Sequence, residues 1–329
     1  MPVQMMRECR CDSEMSLRLF GRRLLLWYDA NKRDLPWRKN RDPYPVWLSE
    51  IMLQQTRVAA VVKYYARFLK RFPTVQALAM ARVSSVLAAW SGLGYYRRAR
   101  ALHQAAKTIV KDGAFPSTAK RLQTLPGVGR YTAAAIASIA FGEPIAVVDG
   151  NVERVLGRVT GKNRSQEELW QSAQTLLSRQ RPGDFNQAMM ELGATICLPR
   201  QPKCRVCPVS KHCTTRGELS HPKVEIRHKR EICYGLNLCE DSVFLVRRAK
   251  SSSLMPGMWE LPEILEPNAS HQTTLTLKHS ITITDYTVRV ARGPVLDSIS
   301  GQWVRRSRLA ALPLTGLARK ILQATQVIQ

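Results

Sequence analysis

Leu125-Pro126-Gly127-Val128-Gly129-Arg130-Tyr131-Thr132 is the stretch on which the fold of the first half of the chain turns. It lies between the alanine-rich helical segments Arg98–Val110 and Tyr131–Phe141, whose apolar residues recur at helical spacing. Two glycines separated by one residue let the backbone turn sharply and approach a neighbour closely. The N–H groups that open the helix at Tyr131 would then point outward with the positive end of its dipole, a geometry that cups a phosphate. Such a contact positions a nucleic-acid backbone without reading its sequence. An ordinary αα-hairpin turn has the same signature, so Gly127, Val128 and Gly129 are candidate DNA contacts and no more on this ground.

Outward from the turn, the helical pattern continues in both directions. Leu17, Leu24, Leu25 and Tyr28 form one stripe; Val58, Val61, Val62, Tyr65, Phe68 and Leu69 form another. Further helices are predicted at Leu78–Trp90, Asn151–Val159, Gln166–Leu177 and Phe185–Ala194, punctuated by Phe72-Pro73, Gly92-Leu93-Gly94, Phe115-Pro116 and Gly142-Glu143-Pro144. Residues 17–215 therefore read as all-α, behind a disordered tail at 1–16. From Cys197 to Arg230 there are nine Lys or Arg against Glu218 and Glu225, and its second half has no apolar periodicity, so 216–230 reads as a basic linker. Beyond it, Ile232–Leu238, Val243–Arg248, Leu275–Thr284 and Tyr286–Val290 are β-rich, and Leu309–Val327 is helical. A smaller α+β domain is expected over 231–329.

The charge is one-sided: 50 Lys and Arg against 25 Asp and Glu, a net +25. A surface of that kind attracts polyanions, nucleic acid first and an anionic membrane second. No window reaches the ~20 apolar residues of a membrane span. Met1–Met15 has no apolar core and carries Glu8, Asp12 and Glu14, which argues against a targeting peptide. Eight cysteines without a secretion signal point to a reducing cytoplasm rather than a disulfide framework. The expectation is a cytoplasmic, nucleoid-associated monomer with no membrane association.

Four of those cysteines, Cys197, Cys204, Cys207 and Cys213, are spaced C-x6-C-x2-C-x5-C. Zinc sites usually present two C-x2-C pairs on separate knuckles. Iron–sulfur clusters accept closely strung runs from one segment. A 4Fe-4S cluster is the favoured reading; zinc and four unrelated thiols remain open.

Two carboxylates have the surroundings that glycosidic cleavage needs, one kept neutral and one ionised. Glu50, read as lying at the start of Ser49-Glu50-Ile51-Met52-Leu53-Gln54-Gln55-Thr56, has apolar neighbours that would raise its pKa towards that of a general acid. A Glu favoured by a helix dipole is the plainer alternative. Asp149 follows Pro144-Ile145-Ala146-Val147-Val148 and precedes a helix, where it is either an N-cap or an anion able to stabilise a cation. Gln54, Gln55, Tyr95 and Tyr96 could fill a gap in a base stack.

The order of these motifs resembles the helix-hairpin-helix DNA glycosylase superfamily: L-P-G-V-G-x-Y, then V-D-G-N-V, then the four cysteines. S-E-I-M-L-Q-Q-T at 49–56 together with Tyr131 is similar to the adenine DNA glycosylase (MutY) family, and the resemblance covers 17–215. It implies a base-excision enzyme that binds double-stranded DNA and flips out adenine mispaired with 8-oxoguanine or guanine. By that resemblance Glu50 protonates the adenine and activates water. Asp149 stabilises the oxocarbenium ion, and Tyr131 and Asn151 support both. Trp37, Arg38, Leu53 and Gln187 line the adenine pocket, Gln54 contacts DNA, Gln55 and Tyr95 wedge the duplex, and the cysteines hold a 4Fe-4S cluster that positions DNA.

Endonuclease III-like relatives, which also cut the strand, carry lysine where this chain has Tyr131, and tyrosine cannot form their imine. A monofunctional hydrolase is thus expected. A glycosylase/lyase acting on damaged pyrimidines and a non-catalytic iron–sulfur DNA-binding protein are the competing readings. The C-terminal part resembles the family's Nudix-like domain through Leu254-Met255-Pro256-Gly257-Met258-Trp259-Glu260-Leu261-Pro262, looks shortened, and lacks the Nudix hydrolase run. In place of a Phe-Ser-His loop that reads 8-oxoguanine it offers Ile281-Thr282-Ile283, with Thr282 as the hydroxyl.

Overall fold

The structure is a computed structural model that describes residues 18–328 except 163, 219–227, 250, 253, 265–271, 282 and 295–298. The expected tail at 1–16, most of the basic linker, and Thr282 lie outside the described residues. Among the described residues no helix is long and apolar enough to cross a membrane.

The chain forms two compact units that do not follow its order. One comprises residues 1–54 with 108–222, the other Gln55–Lys107 with Lys223–Gln329. The sequence pattern placed 55–107 with the rest of the helical half; in the structure these residues cluster with the C-terminal part.

The first unit holds α1 (residues 18–31), a 3-10 turn at Pro36–Arg38, α2 (Pro43–Leu53), and then α7 (Ala119–Leu122) and α8 (Arg130–Phe141). It ends with α9 (Gly150–Thr160), α10 (Gln166–Leu176), α11 (Pro182–Thr195) and the cysteine loop. Asp42 starts α2 by accepting from the Tyr44 amide at 3.0 Å, with Pro43 at the first helical position. Residues Tyr44 through Met52 of α2 are all buried, so this helix is surrounded on every side rather than one. Alanines and Ser138 on the buried face of α8 allow close helix approach. Glycine serves the same end on α11: a Cβ at Gly183 would lie 2.7 Å from Ser138 O, and one at Gly193 would lie 2.6 Å from Asn151 Cβ. α8 therefore packs against both α2 and α11, and α11 against α9.

The second unit contains α3 (Val58–Arg71), α4 (Val75–Met80), α5 (Val83–Trp90) and most of α6 (Tyr96–Lys111). The single helix predicted over Leu78–Trp90 is interrupted, because Ala81 and Arg82 adopt extended backbone and Ala81 O is bonded to His103 Nε2 at 2.9 Å. The same unit carries β1 (His228–Leu236), β2 (Leu238–Cys239), β3 (Ser242–Arg247), β4 (Trp259–Glu260), β5 (Gln272–Ile281), β6 (Thr284–Arg292) and β7 (Gln302–Arg305). α12 (Arg306–Leu309) and α13 (Gly316–Ala324) close it. One sheet runs β1-β6-β5, β1 parallel and β5 antiparallel to β6; the other runs β2-β3-β4 with β7 on β3. The apolar face of α13 supplies Leu317, Ala318, Ile321 and Leu322 to a core shared with Val243, Leu245, Val288 and Val290.

Candidate active site

Glu50 lies well inside α2, which begins at Pro43, so the helix-start reading of this carboxylate is overturned. It is 5% exposed. Packing of α2 on α8 brings in Tyr131, whose hydroxyl donates to Glu50 Oε2 at 2.8 Å and also reaches Met190 Sδ on α11 at 3.1 Å. Burial pushes Glu50 up to about 7; the bond from Tyr131 and the charge of Arg38 pull the other way, and the charge of Asp149 adds to the rise. Burial, and after it the charges of Glu50 and Asp149, holds the Tyr131 phenol well above its ordinary range. Tyr131 is therefore a donor throughout the physiological range, and Glu50 can hold or release a proton near neutrality.

Asp149 is the N-cap of α9, as its position before a helix suggested. Its Oδ1 accepts from the amides of Asn151 (3.0 Å) and Val152 (2.8 Å), and its Oδ2 from Asn151 Nδ2 (3.0 Å). Capping and chemistry are thus not rival assignments: the cap orients the carboxylate. Asn151 is held in turn by Arg154, whose Nη2 donates to Asn151 Oδ1 and Gly193 O, both at 2.8 Å, and whose Nε donates to Cys197 O at 2.8 Å. Sequence reading missed Arg154, although its i+3 spacing from Asn151 on one helix was a usable signal.

Trp37 is buried, whereas Leu53 and Gln187 are partly exposed. Arg38 is committed to Glu191, a buried carboxylate that accepts from Arg38 Nη2 at 2.8 Å and from Arg33 Nε and Nη2 at 2.6 and 2.9 Å. The two guanidiniums hold Glu191 below the ordinary carboxylate range despite its burial. Glu191 was not singled out from sequence, since one Glu on a mostly apolar helix carries no signal until its partners are known.

Gln54 ends α2, and its amide donates to Thr132 Oγ1 at 3.0 Å. In the second unit Gln55 and Tyr95 are both exposed, and each occupies the left-handed backbone region, with φ 53° and 48°. In the hairpin, Gly127 has φ 76° and Val128 is buried. Gly129 is the N-cap of α8 and contributes no side-chain cap to its first turn. Open space surrounds Gly129 at the position of a Cβ.

Cys197, Cys204, Cys207 and Cys213 are free thiols that line one cavity together with Arg158 and Ile196. Among the described residues no group of three or more His, Cys, Asp or Glu is arranged to hold a single metal ion. Burial and the other three thiols push Cys207 up to about 11. Arg158, 3% exposed, anchors the loop through Leu198 O (2.6 Å), Pro199 O (2.8 Å) and Cys197 Sγ (3.3 Å).

A two-helix hairpin with an open N-terminus, set in the same unit as a buried acid and a capped aspartate, defines the helix-hairpin-helix class of base-excision proteins. Residues 48–179 match the family described as HhH-GPD superfamily base excision DNA repair protein. The chain is 42% identical to the adenine DNA glycosylase of Rattus norvegicus, over 77% of this chain and 62% of that one. It is 52% identical to that of Homo sapiens over 61% and 40%, and 33% identical to that of Schizosaccharomyces pombe over 77% and 70%. It thus spans less than two thirds of the mammalian proteins it matches. Among solved structures, a thermostable thymine-DNA glycosylase is 33% identical with a TM-score of 0.59, covering 62% of this chain and 98% of that one. A non-covalent endonuclease III–DNA complex shares the fold at 22% identity and TM-score 0.54, over 62% of this chain and 96% of that one. The chain belongs to the adenine DNA glycosylase family within the HhH-GPD superfamily.

Proposed function

We propose that this chain hydrolyses the N-glycosidic bond of adenine opposite 8-oxoguanine or guanine in double-stranded DNA, without cutting the strand. The observation that carries the reading is the buried Glu50, raised to about 7, bonded to Tyr131 and close enough to Asp149 to feel its charge. Protonated Glu50 gives its proton to a ring nitrogen of the flipped adenine. The C–N bond breaks with its electron pair leaving on the base, and the sugar becomes an oxocarbenium ion. Asp149, locked by three N–H donors, stabilises that cation. The Glu50 carboxylate then takes a proton from the attacking water. Tyr131 supplies no amine, which is why no imine and no strand scission are expected.

The four cysteines fit a 4Fe-4S cluster, because the four thiols come from one short segment and line one cavity. Bound there, such a cluster would fix the basic loop against DNA and take no part in hydrolysis. The mixed sheet with α13 against it is consistent with a Nudix-like domain. The net charge of +25 supports duplex DNA as the partner.

Single-turnover base release from duplexes carrying A opposite 8-oxoguanine, A opposite guanine, or an oxidised pyrimidine tests the reading. Adenine release without borohydride-trappable adduct is expected. Pyrimidine release, or an adduct forming as fast as the base leaves, would refute it. Stoichiometric zinc without iron in the purified protein would refute the cluster assignment.

A further inference from the structure

Gln55 and Tyr95 lie 40 positions apart, yet one side chain reaches both of their turns. Arg98, in the first turn of α6, donates from Nη2 to Thr56 Oγ1 at 3.0 Å, next to Gln55. The same nitrogen reaches Leu93 O at 3.3 Å and Gly94 O at 3.4 Å, next to Tyr95. Its guanidinium carbon sits 5.3 Å from the centre of the Tyr95 ring and 5.5 Å from that of Trp90. Trp90 Nε1 also donates to Gly94 O, at 3.1 Å. On the far side of the loop, Ser91 Oγ and Tyr96 Oη both donate to Leu314 O at 2.8 Å, and Arg319 Nε donates to Ser91 Oγ at 3.0 Å.

A bulky residue in the left-handed region is disfavoured unless its surroundings hold it there. Gln55 and Tyr95 are both exposed, so neither is held there by burial of its own side chain. A planar guanidinium can stack on the ring while its N–H groups span several acceptors; an ammonium cannot do both. Arg98 has a lowered pKa, about 10, through burial, and remains charged at neutral pH.

We infer that Arg98 is a positioning residue that locks the Gln55 and Tyr95 turns into one rigid wedge, so that both side chains enter the duplex together. This rests on the proposed adenine glycosylase reading, together with the wedge role that the family resemblance implies for Gln55 and Tyr95. Arg98 would then govern opening of the duplex and not cleavage of the bond.

The full chain and its Arg98→Met and Arg98→Lys variants would be compared on two substrates, a paired duplex with A opposite 8-oxoguanine and the same adenine presented in a bulge, already unstacked. A duplex with 2-aminopurine at the target position reports opening by fluorescence, whether or not a base is released. Arg98→Met should slow opening and release on the paired duplex by about 10- to 100-fold and on the bulge by less than about threefold, with Arg98→Lys between. In a Tyr95→Ala background Arg98→Met should cost little more, because the two act as a unit. Equal losses on both substrates, additive losses in the double variant, or unchanged opening would overturn the inference. A wild-type protein that opens the duplex in an Arg98-dependent manner but releases no adenine would overturn the enzyme reading alone. One that does neither would overturn both.

Discussion

The Tyr131 hydroxyl donates to Glu50 Oε2 at 2.8 Å, joining the second residue of one buried helix to the interior of another. This bond stabilises the ionised form of Glu50 against a burial that favours the neutral one, and the balance leaves the acid near 7. Base release should accordingly fall as pH rises through about 7, when Glu50 loses its proton. Glu50→Gln should lower the single-turnover rate by roughly 10²–10⁴-fold and abolish that pH limb. A rate profile flat from pH 6 to 8 in the wild type would count against Glu50 as the acid.

The same group makes folding pH-dependent. Glu50 binds its proton more tightly folded than unfolded, so its favourable contribution is present at low pH and is lost as pH climbs from 4.5 through about 7. Above that window its ionised form costs stability by about 3 kcal/mol at most. Glu50→Gln should therefore gain stability relative to wild type in urea unfolding at pH 8.5 and gain much less at pH 5, while losing activity at both.

Removing the hydroxyl separates its effect on Glu50 from its bulk. Tyr131→Phe keeps the ring between α2 and α11 but withdraws the bond that lowers Glu50. The alkaline limb of the rate profile should move to higher pH, with thermal stability changed little. An unmoved limb would show that the bond does not set the acid.

Asp149→Asn retains an oxygen able to accept from the Asn151 and Val152 amides, so the α9 cap should survive. Base release should drop by roughly 10³-fold while DNA affinity stays within about twofold. Asp149→Ala should lose the cap as well, at a cost of about 1 kcal/mol. Equal activity of Asn and Asp variants would remove Asp149 from the chemistry.

Gly193→Ala would place a methyl group 2.6 Å from Asn151 Cβ, against the residue that bonds Asp149. Arg154→Gln withdraws the link between Asn151 and Cys197 O without touching either carboxylate. Both should lower the release rate by about tenfold or more. Arg154→Gln should leave iron content unchanged if its role is to orient Asn151. Loss of iron in step with activity would make it a support of the cysteine loop instead.

How much was legible in advance differs by residue. The hairpin, the cap at Asp149 and the long strands β5 and β6 follow from spacings of two to four residues, which local geometry controls directly. β2, β4 and β7 were missed, being two to four residues each and too short to show alternation. The helix over Leu78–Trp90 was read through a break that contains no Gly or Pro. At that break the Ala81 carbonyl accepts from a histidine 22 residues away.

Sequence alone determined which residues are ionisable or carry a thiol, in what order, and that Asp149 begins a helix, because capping depends on neighbours along the chain. Tertiary structure decided what Glu50 is. Its burial, its bond to Tyr131 across 81 residues and the nearby charge of Asp149 exist only once α2, α8 and α9 are packed. Packing likewise gave Arg38 to Glu191 and Arg154 to Cys197. A pKa and a shared hydrogen bond are properties of distance and dielectric, and neither is written in the spacing of a linear chain.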